Sequence, residues 1–135
     1  MITRKKLLLG GICIIILILS IIGGNYLLSV QNYKKTVSDI KIGSVDLSKI
    51  SDGTYTGSCD VVYVGAKVSV TVKDKKITNI VILNHKTERG KPAEIIVDNV
   101  VKAQTLQVDS ISGATNSSKV ILKAIENALN SPNKN

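Results

Sequence analysis

Residues 7–28 carry no charge, and between residues 12 and 22 only Cys13 and Ser20 interrupt a run of Ile and Leu. A stretch this long and this apolar spans a bilayer as a helix. Arg4, Lys5 and Lys6 stand just before it, so the positive-inside rule puts Met1 in the cytoplasm and the rest of the chain outside. A cleaved signal peptide competes, but the run is long for one. Gly23-Gly24-Asn25 also makes a poor cleavage site, with Ile at the position three residues earlier. Residues 1–30 therefore read as an uncleaved anchor. Residues 31–51 mix charges with scattered aliphatics at no sustained period and read as a stalk.

Domain patterning begins at the turn pair Asp52-Gly53. Tyr55, Gly57, Cys59, Val61 and Tyr63 alternate with small polar residues, which predicts a half-buried strand with Cys59 on its inner face. Val68, Val70 and Val72 then alternate with the opposite parity, so Gly65 is the expected bulge or turn that resets the faces. Lys73 to Lys76 reads as a polar hairpin turn. Ile77 to Leu83 reads as a third strand, and its run of Ile80, Val81, Ile82 and Leu83 implies burial on both faces. After a polar loop, Pro92 can open a helix whose stripe is Ile95, Ile96, Val100, Val101 and Gln104. The last helix has the cleanest 3.6 period: Ile121, Ala124, Ile125, Ala128 and Leu129. Asn116 or Ser117 is its expected cap, Ser131-Pro132 its stop, and 131–135 a polar tail.

Strands followed by helices predict an α+β domain over 52–130: a small antiparallel sheet with two helices, preceded by one transmembrane helix. The core must be built from Val, Ile, Leu and Tyr, because the 135-residue chain has no Phe or Trp. Of its two cysteines, Cys13 lies in the anchor and Cys59 in the domain, so no internal disulfide is expected, and no CxxC or His/Cys cluster points to a metal. The net charge of +8 has no interleaved aromatics, which argues against nucleic acid. It suits solubility or an anionic surface.

The chemistry concentrates at Asp109-Ser-Ile-Ser112-Gly113-Ala114-Thr115, just before the last helix. Ser112 to Thr115 has no bulky side chain, Gly113 permits a positive φ, and Thr115 falls where helix N–H groups and the helix dipole favour a phosphate. The same composition also serves an ordinary helix cap after a turn. His85, the only histidine, stands at the end of the third strand. It is expected to share the parity of Leu83, either against a cofactor or as a surface loop residue. Lys86, Arg89 and Lys91 either attract a phosphate or an acidic partner or form a solvated face. Cys59, with no resolving partner, reads as structural rather than as a redox thiol.

Asp109, Ser112, Gly113, Ala114 and Thr115 together resemble the flavin-attachment motif of the FMN-binding domain family. That pattern is Asp, two residues, Ser or Thr, then Gly, Ala, and Thr or Ser. Residues 52–57 resemble the family's opening strand, 67–83 its central hairpin, and His85 the start of its next loop. Arg89-Gly90-Lys91 replaces a more glycine-rich version there, so only His85 and Gly90 carry over from that loop.

The resemblance implies FMN joined through a phosphoester to Thr115. It also implies maturation outside the cytoplasm by a separate magnesium-dependent flavin transferase that uses FAD. Asp109 would belong to the sequence the transferase reads, and Gly113 and Ala114 would leave room for the phosphate. Electrons would come from a membrane dehydrogenase, a quinol or another flavoprotein, since no nicotinamide-binding fingerprint is present. An anchored electron carrier is therefore expected, rather than a stand-alone enzyme. A subunit of a multi-chain membrane oxidoreductase and a flavin-free surface binding module are the alternatives.

Overall fold

The computed structural model describes Met1 and residues 3–131; the tail expected at 131–135 lies, past Ser131, outside the described residues. The chain forms two compact units, Met1–Lys35 and Thr36–Asn135.

The first unit is most of helix α1, Arg4–Ser38. Residues 7–28 alone give about 33 Å of helix at 1.5 Å per residue, enough for an ~30 Å hydrocarbon core. Every residue from Arg4 to Ser29 is exposed, and α1 is long and apolar enough to cross a membrane. A helix that is apolar all round satisfies its own backbone, as lipid requires. Ser20 follows suit: its Oγ donates to the Ile16 carbonyl at 2.8 Å.

The second unit is α+β. Its antiparallel sheet has the order β1-β2-β3, with β1 at Gly53–Val61, β2 at Val64–Lys73 and β3 at Lys76–Lys86. Helix α2, Ile96–Ala103, packs on β3, and helix α3, Thr115–Leu129, lies across β1 and β2. β2 contributes Val68, Val70 and Val72 to the core and α3 contributes Val120, Ile121, Ala124, Ile125 and Ala128, all nearly or fully buried. At Gly57 the strand comes so close to α3 that a Cβ there would sit 2.2 Å from the Ala128 nitrogen and 2.4 Å from the Ala124 oxygen.

The faces are reset at Val62-Tyr63, not at Gly65. Val61 pairs with Val64, which leaves a two-residue hairpin, and Gly65 pairs inside the ladder with Asp60. Asp74 and Lys75 make the second hairpin with φ of 51° and 63°, the left-handed pair that matches strand twist.

β3 is buried on one face only. Ile77 and Ile80 are in the core, whereas Val81 and Leu83 are 45% and 52% exposed. Two register shifts relative to β2, between Lys67 and Val68 and between Thr71 and Val72, interrupt the alternation.

The helices also depart in detail from the pattern. A short 3-10 turn, Lys91–Ile95, precedes α2 and leaves Ile95 exposed. Gln104 is not on the helix stripe: it caps α2 at φ 54°. Its side chain accepts from the Ile77 nitrogen at 2.8 Å and donates to the Ile77 oxygen at 2.7 Å, extending the sheet edge.

Residues 36–51, read from sequence as part of a stalk, belong to the second unit. Val37 is buried. Lys119 donates to the Ser38 carbonyl, Lys123 to the Lys41 carbonyl, and Gln107 to the carbonyls of Ile42 and Gly43.

Cys59 sits half-buried on β1 opposite Ala66. Burial pushes its thiol up, against the pull of Lys123. The thiolate fraction at a given pH is thereby reduced. In a Cys13→Ser chain, Cys59 is expected to react with iodoacetamide more slowly than a free small-molecule thiol at the same pH, a difference that narrows as the pH is raised.

Candidate functional site

Thr115 is the first residue of α3 and is exposed. The cap position is Ala114, at φ −136° and ψ 37°, and it makes no side-chain hydrogen bond. Asn116 and Ser117, expected as caps, instead fall inside the first turn. A helix start without a side-chain acceptor is where the dipole and orphan donors are most open to an external anion. No acidic residue in the first turn opposes this.

The turn ahead of Thr115 is shaped from behind. The Ala114 nitrogen donates to the Ile111 carbonyl at 2.9 Å. Ser118, fully buried, donates from its Oγ to the Ala114 carbonyl and accepts from the Ile111 nitrogen, both at 2.9 Å. Gly113 takes φ +77°, a conformation that L side chains rarely adopt, and a Cβ on it would meet nothing within 4 Å. The turn therefore needs glycine for its backbone while its outer side stays open. Ser112, Gly113 and Thr115 are exposed along it, and Ala114 is buried beneath.

The loop after β3 joins this helix end. Thr87 Oγ1 lies 3.2 Å from Ser117 Oγ and accepts from the Gly90 nitrogen at 2.7 Å. Gly90 is confined by that contact, since a Cβ there would sit 1.7 Å from Ser117 Oγ.

His85 is not on the face of Leu83. Lys67 pairs with Asn84 but Val68 pairs with Ile82, so Leu83 is the extra residue of a bulge. The bulge turns His85 inward, opposite buried Ala66. Its side chain is 3% exposed, and its Nδ1 lies 3.0 Å from Glu94 Oε1. Nε2 is buried without a hydrogen-bond partner.

Asp109 is exposed and lines a shallow depression of about 490 Å³ with Asn99, Lys102, Ala103, Gln107 and Val108. The structure thus sets Ser112, Gly113, Ala114 and Thr115 on one turn. It links the loop that follows His85 to that helix end through Thr87 and Ser117, and it places Asp109 at the foot of α2.

Sequence reasoning passed over Glu94 and Thr87 as working parts. Ser117 and Ser118, hydroxyls at the helix start that composition offers to a phosphate, are buried and face inward instead. Glu94 and Thr87 act through tertiary contacts that leave no spacing pattern.

Residues 65–130 match the profile of the FMN-binding domain. Over 84 residues the chain is 37% identical to an NADH:acrylate oxidoreductase of Vibrio harveyi, a match that takes in 60% of this chain and 8% of that protein.

Proposed function

Given that residues 65–130 belong to the FMN-binding domain family, we propose that this chain is a membrane-anchored electron carrier whose FMN is held by a phosphoester on Thr115. The observation that carries this reading is the exposed Thr115 hydroxyl at a helix start with no side-chain cap, on a turn free of bulky groups. Attachment would join Thr115 Oγ to the FMN phosphorus of FAD. The pyrophosphate bond breaks, AMP leaves, and the hydroxyl proton passes to a base of the transferase. Bound FMN supplies one- and two-electron redox chemistry, and the protein fixes its place and tunes its potential.

The basic residues that open α1 favour an orientation with Met1 in the cytoplasm and the flavin domain outside. A covalent link suits that location, where a diffusible cofactor would be lost. A membrane dehydrogenase, a quinol or another flavoprotein would donate the electrons.

A second reading, that the domain relays electrons within a larger oxidoreductase assembly, is favoured by one observation. The relative it matches is named for a complete redox reaction, and the match covers 8% of it.

The test uses the full chain in detergent with FAD, magnesium and a flavin transferase. Fluorescence that survives boiling in sodium dodecyl sulfate, with an FMN-sized mass gain, is expected. No label, under conditions that label a known substrate, would overturn the reading.

A further inference from the structure

Among the described residues, His85 Nε2 is the one buried side-chain nitrogen or oxygen without a hydrogen-bond partner. Buried polar groups are nearly always paired, and an exception calls for a partner not yet in place. The other ring nitrogen is held. A carboxylate only accepts, so Nδ1 donates to Glu94 Oε1 at 3.0 Å, and in the neutral imidazole Nε2 then presents a lone pair. A carboxylate behind an imidazole fixes both its tautomer and the direction of its free nitrogen.

The ring is also placed on purpose by the backbone. The β3 bulge at Leu83 moves His85 from the open face of the sheet to the covered one. The loop that follows it then bonds, through Thr87, to Ser117, two residues beyond Thr115.

Resting on the flavin reading above, we propose that His85 is a positioning residue for the FMN: Nε2 accepts a hydrogen bond from the flavin, and Glu94 holds the imidazole in the tautomer that allows it. Flavin has complementary donors in its N3–H and its ribityl hydroxyls. Nε2 is covered, so contact requires local rearrangement of the residues over it, a common response to binding. Once made, the bond lies in a dry surrounding where it is stronger than in water.

The chain's only histidine makes the test unambiguous. Full-length protein with ¹⁵N-histidine gives one imidazole, recorded before and after complete flavinylation. The Nε2 resonance is expected to move while Nδ1 keeps its protonated signature. On the isolated covalent product, His85→Leu is expected to raise the rotational mobility of the flavin in time-resolved fluorescence anisotropy. His85→Gln, which keeps a polar atom at similar reach, is expected to restore its restraint. An unmoved Nε2 resonance on a fully labelled chain, or equal mobility in the wild type and His85→Leu, overturns this proposal and leaves the Thr115 attachment standing. A wild-type chain that takes no label overturns both.

Discussion

Thr115→Ala is expected to abolish covalent flavin labelling while leaving the fold intact. Thr115 is exposed at the first turn of α3 and is not among the buried residues of that helix. Its loss should therefore cost no more than about 0.5 kcal/mol, as for surface substitutions away from a packed feature. The effect on labelling is of another order, because no phosphoester can form without the hydroxyl. In-gel fluorescence and intact mass should fall to background, with unchanged circular dichroism. Thr115→Ser keeps the nucleophile and should keep part of the labelling.

The burial of nearby hydroxyls sharpens the test. Ser117 and Ser118 are 2% and 0% exposed, out of a transferase's reach. Ser112 is exposed on the same turn and belongs to the motif, so Ser112→Ala is the comparison, expected to keep part of its label where Thr115→Ala keeps none. A Thr115→Ala chain that still fluoresces after denaturation, together with a dark Ser112→Ala chain, would move the attachment point to Ser112.

Much of this arrangement was legible from the sequence where one periodicity meets one environment. β2 alternates cleanly because α3 covers one of its faces, and α3 shows a full helical stripe because the sheet receives it. The motif turn was legible for the same local reason: glycine at a positive φ and small residues at a helix start are requirements of the backbone itself. The pattern misled where tertiary structure overrode it. Four consecutive aliphatics in β3 implied two buried faces, yet among the described residues no layer covers Val81 and Leu83.

His85 is the instructive case. A strict two-residue period groups it with Leu83, and one bulged residue reverses that assignment. Bulges are set by the fit of a strand to its neighbours, so the sequence of β3 alone does not announce them. The strap over residues 38–43 escaped for a related reason. Its bonds come from Lys119, Lys123 and Gln107, more than sixty residues away, and are made to backbone carbonyls. Backbone carbonyls give no compositional sign.

Gly57→Ala is expected to be the most damaging single-methyl change in the domain. The added Cβ would sit 2.2 Å from the Ala128 nitrogen, 2.4 Å from the Ala124 oxygen and 2.6 Å from the Ala128 Cα. These are backbone atoms, so no side chain can swing away, and β1 and α3 must separate. Ala124 and Ala128 are themselves fully buried, which indicates that the whole contact is built on small residues. Overpacking of a tight core costs about 1–3 kcal/mol and sometimes more. With backbone on both sides, the upper end applies, about 3 kcal/mol.

For a domain of this size that corresponds to a fall in Tm of roughly 12–24 °C. Gly65→Ala is the matched control in the neighbouring strand. Its Cβ would meet only the Asp60 carboxylate, at 3.0 Å, and that side chain is exposed enough to turn aside (70%). A shift of a few degrees is expected there. Flavinylation should follow the folded fraction, since α3 carries Thr115 at one end and the Gly57 contact near the other. Thermal melts of the full-length chain, followed by tyrosine fluorescence, decide the matter. Equal melting temperatures for the two variants would mean that α3 does not seat on β1 at Gly57.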